Sequence, residues 1–277
     1  HVNRIVWNIR HSDLSTNLNK KTTLYINKWC AKHSRKVDCI IFNGNKARET
    51  HENIGYNCLK SIVLDNGVDI NEFKPMKDSR TKLCNELKID ITSKIIFSAS
   101  RYHPVKDIPS FIKAFKLIHM QMTNSIAIMC GNGIDSSNME LVSLCNSSGL
   151  SIGKDIFLLG VRNDLPILFS ACDLYILHSA GEAFPNTLIQ AMACGTVCLA
   201  TDVGDVKKIL QNDENIVEAG NYNSLAKSAI RLLEKPSDLL MLETNRMINR
   251  VHSKYNICMI VKNYERIYLT QNDIKNY

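Results

Sequence analysis

The sequence predicts an α/β protein built on parallel sheets. Apolar runs of four to seven residues alternate with helical patterns of ten or more along most of the 277-residue chain, which is typical of repeated βα units. Hydrophobic residues make up 45% and charged residues 22% of the chain, the composition of an ordinary globular protein with an ample core. No apolar run approaches the roughly 20 residues that cross a bilayer, which excludes a membrane-spanning protein.

Each short apolar run is a predicted strand, and each longer periodic segment is a predicted helix. The predicted strands lie at 4–9, 38–43, 61–64, 94–98, 126–130, 156–159, 174–178 and 197–201. The predicted helices lie at 19–35, 45–54, 79–87, 107–120, 136–148, 163–171, 186–194, 204–211 and 222–234, with a helical pattern from 236 to the end. Helix caps are predicted at Asp107, at Asp164, and at Asn223 or Ser224.

Turn-forming residues at 65–76 interrupt the alternation and divide the chain into two units. We expect a first domain at 1–76, a nucleotide-binding domain at 77–250, and a C-terminal helix at 251–277 that packs back on the first domain. The first domain has only three predicted strands, whereas a complete nucleotide-binding sheet needs five or six. We therefore expect that this domain is incomplete and that the chain is a fragment.

The net charge of +7 is concentrated at the start of the chain. Residues 1–80 hold 14 Lys and Arg against 8 Asp and Glu, so this part carries +6. Such a segment attracts anionic lipid, phosphorylated acceptors or nucleic acid, although lysines on solvated helices explain it equally well. The 10 cysteines include no pair with two intervening residues, which predicts unpaired thiols in a reducing compartment.

The loops after the strands of the second unit are where ligands of an open parallel sheet bind. Arg101 and Lys106 follow one strand, and two cations there suit a phosphate, although solvated surface is the alternative. The triplet GNG at 131–133 follows the next strand and allows close approach of the backbone, unless it is an ordinary turn. Neither signal is specific by itself.

The segment 178–195 is the most informative part of the sequence. A strand ends at His178, a loop of small residues follows, and a helix begins near Asn186. The start of a helix binds anions, so Glu182 and Gln190 beside it could hold a polyhydroxylated ligand whose phosphate lies on the helix start. The alternative is that Glu182 only stabilises the helix dipole and Gln190 is a surface residue.

The run EAFPNTLIQAMACGTVCLATDVG at 182–204 resembles the signature of retaining glycosyltransferases of family 4, which have the GT-B fold. Further similar motifs follow the family's order: NGVD at 66–69 with Phe73 and Pro75, RYHPVKD at 101–107, GNG at 131–133, LGVRNDLP at 159–166 and ACDLYILHS at 171–179. The resemblance is strong over 60–270 and weak over 1–60. It implies two Rossmann-like domains facing a cleft, the first of them incomplete here.

The resemblance implies that the second domain holds a UDP- or GDP-linked sugar and the first holds the acceptor. It assigns the donor diphosphate to Arg101 and Lys106, the transferred sugar to Glu182, and an acceptor-side catalytic role to His11 in IVWNIRHSD at 5–13. A surface histidine is the alternative for His11. The implied donor-binding residues are Gly131, Gly133, Val161, Arg162, Phe184, Asn186, Thr187 and Gln190.

The sequence departs from the family pattern at two places. The second acid of the motif is Gln190 here, which loses a charge-assisted hydrogen bond to the nucleotide ribose and predicts weaker donor binding. The opening strand and glycine-rich loop that line the cleft in the family have no counterpart before His1. A chain without them would be a partial sequence of an active enzyme or a degenerate remnant.

The function implied is transfer of a sugar to a polysaccharide or lipid-linked glycan precursor with retention of anomeric configuration. No Asp-x-Asp triplet occurs, so we expect no metal and no cofactor other than the nucleotide-sugar co-substrate. We expect a cytoplasmic protein that contacts anionic membrane peripherally and does not bind nucleic acid. The alternatives are a non-catalytic nucleotide-sugar binder, a sugar-nucleotide epimerase or phosphorylase, and a nucleic-acid binder that uses 1–80.

Overall fold

The computed structural model describes residues 4–12, 14 and 20–269, and all of its ladders are parallel. The α/β prediction is confirmed. The first sheet contains β1 (Val6–Ile9), β2 (Cys39–Phe42) and β3 (Ser61–Val63) in that order. The second sheet contains β4 (Lys94–Ala99), β5 (Ser125–Cys130), β6 (Ile156–Leu158), β7 (Leu174–Leu177), β8 (Cys198–Thr201) and β9 (Ile216–Val217).

The helices connect the strands and follow them at the C-terminus. Those of the first unit are α1 (Lys21–His33) and α2 (Asn45–Asn53). Those of the second unit are α3 (Ser79–Leu87), α4 (Ile108–Gln121), α5 (Met139–Ser147), α6 (Leu165–Ala171), α7 (Asn186–Ala193), α8 (Val206–Leu210) and α9 (Tyr222–Leu233). Two further helices, α10 (Ser237–Lys254) and α11 (Ile257–Leu269), end the described part of the chain.

The order of the second sheet is β6-β5-β4-β7-β8-β9. The chain therefore builds outward from β4 in one direction, then returns to β7 and builds outward in the other. The loops that leave β4 and β7 run to opposite faces of the sheet, which opens a crevice between the carboxyl ends of these two strands. Buried apolar clusters cover both faces of the sheet, as its continuous apolar strands require.

The helix α11 packs against the first sheet. Ile260 and Ile267 share a buried cluster with Ile41 and Ile62 of that sheet. The break before α11 is held by the linking segment, because Val68 donates to the Tyr255 carbonyl at 2.8 Å and accepts from Ile257 N–H at 3.0 Å. The C-terminal helical region thus spans both units.

The structure corrects several details of the sequence prediction. The two-residue β9 was not predicted, because so short an apolar run has no periodicity to recognise. The predicted cap of α9 is wrong, since Asn221 accepts from Ser224 N–H at 3.0 Å in place of Asn223 or Ser224. Asp164 occupies the cap position of α6 without making a cap hydrogen bond, whereas Asp107 caps α4 as predicted, accepting from Ser110 N–H at 3.4 Å.

The other sequence expectations concern membrane spans and cysteines. Within 4–12, 14 and 20–269, no helix combines the length and apolarity that crossing a bilayer requires. All 10 cysteines are free thiols. Burial raises the pKa of several, including Cys39 to about 11 and Cys130 to about 12, so they remain protonated packing residues.

Candidate functional site

Lys106 and Glu182 form an ion pair in the crevice between β4 and β7. Lys106 ends a short 3-10 turn (Pro104–Lys106) after β4, and Glu182 lies in the loop between β7 and α7. The Lys106 ammonium donates to Glu182 Oε1, which also accepts from Ser179 Oγ at 2.7 Å. The two charged side chains are only 19% and 12% exposed. The topology therefore joins two residues that are 76 positions apart in the sequence.

His178 fixes the backbone beside this pair. Its Nδ1–H donates to the Lys106 carbonyl at 2.5 Å, and its Nε2 accepts from Ser98 Oγ at 2.7 Å. The ring is 2% exposed, and burial lowers the pKa of His178 to about 4. A neutral imidazole, with one donor and one acceptor, satisfies both contacts and holds the turn that carries Lys106.

Arg101 lies in the same loop as Lys106 but is exposed. It makes no hydrogen bond or ion pair with any residue of the described ranges, so its guanidinium is available to a ligand. Its backbone is fixed by the GNG triplet: a Cβ on Gly131 would lie 2.1 Å from the Ser100 carbonyl oxygen, and a Cβ on Gly133 would lie 3.0 Å from Tyr102 Cβ. Only glycine fits at Gly131, whose φ is +137°.

The first turn of α7 lies beside the ion pair. Phe184 is buried against the ring of Tyr255. Thr187 Oγ1 accepts from the hydroxyl of buried Tyr175 at 2.7 Å, which anchors the start of the helix. The first backbone N–H groups of any helix lack partners within the helix and attract anions.

Two further donor-site candidates occupy α7. Asn186 begins the helix, and its Oδ1 accepts from Asn66 Nδ2 at 2.8 Å. Gln190 lies one turn further along the helix, with a partly exposed side chain. The helix therefore presents a neutral amide at Gln190, where the family pattern described above has an acid.

Val161 and Arg162 follow β6, at the far side of the GNG loop. Val161 is exposed. Arg162 forms ion pairs with Glu86 of α3 and with Asp164, and these contacts raise the pKa of its guanidinium. Its charge is therefore already neutralised by two carboxylates, in contrast to that of Arg101. The loop stays joined to the GNG triplet, because Gly131 N–H donates to the Gly160 carbonyl at 2.7 Å.

His11 lies on the first unit, next to the loop that carries Glu182. The neighbouring Ser12 Oγ donates to the Glu182 carbonyl at 2.7 Å. The ring of His11 contacts the fully buried ring of His51 edge to face, with centroids 4.8 Å apart. Burial lowers the pKa of His51, which therefore stays neutral beside His11.

The first unit and the loop at 204–205 both pack against the segment that carries Glu182. A Cβ on Gly204 would lie 2.6 Å from the Glu182 carbonyl oxygen, and a Cβ on Gly44 would lie 2.9 Å from that of Ala183. Asp205 is 4% exposed and donates its backbone N–H to the Ala183 carbonyl at 3.3 Å. The segment is therefore packed between both units.

Sequence reasoning missed the residues that orient the ion pair. His178 and Ser179 were noted as the end of a strand and of the ACDLYILHS motif, with no role assigned, although a polar pair directly after a buried strand at a switch point is a usable signal. Ser12 and Asp205 gave no signal, because their contacts join distant parts of the chain. In the described part of the chain, no group of three or more His, Cys, Asp or Glu side chains is placed to hold a metal ion.

Comparison with known proteins identifies relatives of this arrangement. The sequence model of the family described as "Glycosyl transferases group 1" matches residues 79–253. N-acetyl-alpha-D-glucosaminyl L-malate synthase from Bacillus anthracis is 29% identical over 224 residues, covering 79% of this chain and 56% of the relative. The UDP-Gal:alpha-D-GlcNAc-diphosphoundecaprenol alpha-1,3-galactosyltransferase of Escherichia coli is 23% identical over 215 residues, covering 76% and 54%. The chain thus spans little more than half the length of these relatives.

A solved structure shows the same fold. HepE from Anabaena, crystallised with UDP and glucose, superposes with a TM-score of 0.84 at 22% identity, covering 96% of this chain and 71% of that one. This similarity confirms the GT-B fold that the sequence motifs implied. The crevice between β4 and β7 is therefore part of a fold that is already known from solved structures.

Proposed function

The chain belongs to the glycosyl transferases group 1 family, and from this we propose that it transfers a sugar from a nucleotide-sugar donor to an acceptor with retention of anomeric configuration. The observation that carries the proposal is the buried Lys106–Glu182 pair at the switch point of the sheet. This pair supports the proposal because a cation that suits a diphosphate and an acid that suits a sugar hydroxyl are in direct contact. Arg101 and the start of α7 flank this pair.

Charge balance assigns a role to each group. When the bond from the anomeric carbon to the diphosphate oxygen breaks, its electron pair stays on the diphosphate and the sugar becomes electron-poor. Lys106, Arg101 and the N-terminus of α7 stabilise the first charge, and Glu182 stabilises or orients the sugar. The acceptor oxygen forms the new bond on the face that the diphosphate leaves, and its proton passes to the departing diphosphate.

These cations supply the charge that a divalent ion supplies in other transferases. We propose that transfer needs no added metal and that turnover is unchanged in excess EDTA. The donor nucleotide is UDP or GDP, and the acceptor is a glycan precursor. Of the relatives above, one is named for L-malate and one for a diphosphoundecaprenol-linked sugar, and both of these acceptors carry anionic groups.

Peripheral contact with an anionic membrane is supported by the outer face of α1. Tyr25, Ile26 and Trp29 are 72%, 57% and 54% exposed there, although each is large and apolar. The segment 20–37 holds six Lys and Arg and no acidic residue. Aromatic and apolar side chains surrounded by lysines are typical of helices that lie in the membrane interface.

The test of donor binding is calorimetric titration of the chain with UDP and GDP. Lys106→Ala is expected to weaken binding of the preferred nucleotide at least tenfold, because a buried charge-assisted contact to the diphosphate is lost. Lys82→Ala, an exposed lysine on α3, is the matched control and leaves affinity unchanged. Equal affinities for the two variants would refute the placement of the donor.

Chemistry is tested with radiolabelled nucleotide sugars and a mixture of glycan-precursor acceptors. A labelled product whose anomeric proton coupling matches that of the donor supports retaining transfer. Epimerised donor supports the epimerase alternative, and binding without turnover supports the non-catalytic binder. Nucleic-acid binding by the basic first unit predicts salt-sensitive retention of RNA or DNA on a filter, and such retention would contradict the present proposal.

A further inference from the structure

The loop that carries Glu182 is packed into the first unit. Ala183, the next residue, belongs to the buried apolar cluster of that unit, together with Phe42 of β2 and Ala47 of α2. Ser12 Oγ of the same unit donates to the Glu182 carbonyl at 2.7 Å. Glu182 therefore belongs to the second unit in sequence, but the first unit helps to hold its backbone.

Asp205 connects this loop to a helix of the first unit. Its carboxylate accepts from the Asn45 N–H at 2.9 Å and from the Lys46 N–H at 3.2 Å, and these two residues begin α2. Its own backbone N–H donates to the Ala183 carbonyl at 3.3 Å. One residue therefore binds both the start of α2 and the residue next to Glu182.

Two glycines allow these segments to touch. A Cβ on Gly44, the residue before α2, would lie 2.9 Å from the Ala183 carbonyl oxygen and 3.4 Å from the Asp205 Cγ. A Cβ on Gly204 would lie 2.6 Å from the Glu182 carbonyl oxygen. Because the backbones are in direct contact, a displacement of α2 is transmitted to the loop that carries Glu182.

The Asp205 carboxylate depends on α2 for its hydrogen bonds. Its side chain is 3% exposed, and Lys208 Nζ is the one cationic group of the described residues within 4.0 Å, at 3.7 Å. That ammonium lies closer to Asp65, at 2.6 Å. Because a displaced α2 would leave the Asp205 carboxylate buried without its donors, the contact holds the two units in one register.

Lys106 is positioned in a different way. Its turn is held within the second unit by His178, which donates to the Lys106 carbonyl. Within the described part of the chain, none of the hydrogen bonds or ion pairs of Lys106 comes from the first unit. A shift between the units therefore moves Glu182 relative to Lys106 and leaves Lys106 in place.

We propose that Asp205 is a positioning residue for Glu182, because it ties the loop that carries this acid to α2. The distance between the Glu182 carboxylate and the Lys106 ammonium then depends on the contact between the two units. This inference rests on the proposed function, since it assigns the residue that sets the position of an acid in the same site. Loosening the contact lowers turnover and leaves nucleotide binding intact, because Lys106 and Arg101 are held by the second unit.

The first test is Asp205→Asn, assayed with the radiolabelled nucleotide sugars at saturating donor. The amide keeps one acceptor oxygen but turns N–H donors toward the N–H groups of α2, so the contact weakens. Turnover is expected to fall about tenfold, because small displacements of a reacting group cost rate steeply. Affinity for UDP or GDP is expected to stay within about twofold of wild type. Asp78→Asn, at a cap position of α3 that makes no cap hydrogen bond, is the matched control.

The second test breaks the same contact from the first unit. Asn45→Pro removes the backbone N–H and the side-chain amide that donate to Asp205. Proline is tolerated at the first position of a helix, and Gly44 before it is extended, with φ −175° and ψ 158°, as the residue before a proline prefers. The same fall in turnover is expected, and the double variant is expected to fall no further than either single variant. Ser237→Pro, at the exposed first position of α10, is the matched control.

The outcomes separate this proposal from the proposed function. Wild-type turnover in Asn45→Pro would show that α2 does not position Glu182, and nucleotide affinity that falls in parallel with turnover would show that Asp205 only supports the fold of the second unit. Either result overturns the proposal and leaves the donor site standing. If wild type consumes no donor, the proposed function fails, and hydrogen exchange measured by mass spectrometry decides the positioning. The backbone amides of 180–187 are then expected to exchange about tenfold faster in Asn45→Pro than in Ser237→Pro, and equal exchange overturns the proposal.

Discussion

Lys106 and Glu182 are each mostly buried, and their ion pair fixes the positions of both charges before any ligand binds. Removing two charges from water costs free energy that their mutual attraction only partly recovers. The pair therefore contributes little to stability, but it preorganises the site. The Lys106 ammonium is held in place with hydrogen-bond donors still available, and Ser179 holds the Glu182 carboxylate. If Lys106 binds the donor diphosphate as proposed, the diphosphate meets a cation that has already been positioned.

His178 is the residue whose protonation state this arrangement depends on. Its buried ring contacts Ser98 and the Lys106 carbonyl, and it packs against the ring of Phe111. The charged groups that face it are Asp107, which favours the protonated ring, and Lys106, which opposes it. Burial outweighs both, so the pKa of His178 falls from its ordinary value of 6.5 to about 4.

This shift predicts acid sensitivity. Between pH 6.5 and about 4 the unfolded chain binds a proton on His178 that the folded chain does not, so stability is complete above pH 6.5 and is lost as the pH falls through this window. The loss from this residue is about 3 kcal/mol. Denaturant unfolding at several pH values measures it. His178→Asn is expected to flatten the slope in this window, and His252→Asn, an exposed histidine on α10, to leave it unchanged.

At the residue scale, the sequence predicted the members of the site better than their contacts. The proximity of Lys106 and Glu182 follows from strand order, since both follow strands at the switch point. The neutralisation of Arg162 by Glu86 could not be predicted, because that contact depends on how α3 packs beside the loop after β6. Spacing along the chain carries no information about such packing.

At the scale of elements, a carboxylate of the second unit caps a helix of the first. Asp205 Oδ2 accepts from Asn45 N–H at 2.9 Å, and Oδ1 accepts from Lys46 N–H at 3.2 Å. These are the first residues of α2, whose own cap residue, Gly44, has no side chain to offer. The contact satisfies the start of α2, places a negative charge at its positive end, and joins the units behind the Glu182 segment.

Replacing this cap tests the junction. Asp205→Asn removes the charge and leaves a buried amide with unmatched donors, so it is expected to lower the free energy of unfolding by about 2 kcal/mol. Asp78→Asn is the matched control, because Asp78 occupies the cap position of α3 without making a cap hydrogen bond. Denaturant unfolding followed by circular dichroism measures both variants. If Asp205→Asn and Asp78→Asn have equal free energies of unfolding, the Asp205 cap contributes nothing to the junction between the two units.

The elements themselves could largely be predicted, because long periodic segments and buried apolar runs leave clear patterns. The eight predicted strands are all present, with ends shifted by two residues or fewer. The strand β9 and the break between α10 and α11 were missed for a physical reason: the first is two residues long, and the second is set by the contact between Val68 and Asn256. Tertiary contacts of this kind override local pattern.

At the scale of the whole molecule, charge and exposed apolar surface coincide on one unit. The first 80 residues carry +6 of the net +7, and α1 of this unit exposes Tyr25, Ile26 and Trp29. The buried side of α1, at Asn27 and Ala31, packs on its own unit, so the helix has two distinct faces.

Vesicle sedimentation tests this orientation. Binding is expected to vesicles containing phosphatidylserine and not to pure phosphatidylcholine, and to weaken strongly at 0.5 M salt, because each lysine near the surface contributes about 1 kcal/mol that salt screens. Lys28→Glu with Lys32→Glu is therefore expected to weaken binding roughly thirtyfold or more. Lys82→Glu with Lys227→Glu makes the same change in net charge on the second unit. If both pairs weaken binding equally, net charge alone drives association and α1 is not the contact surface.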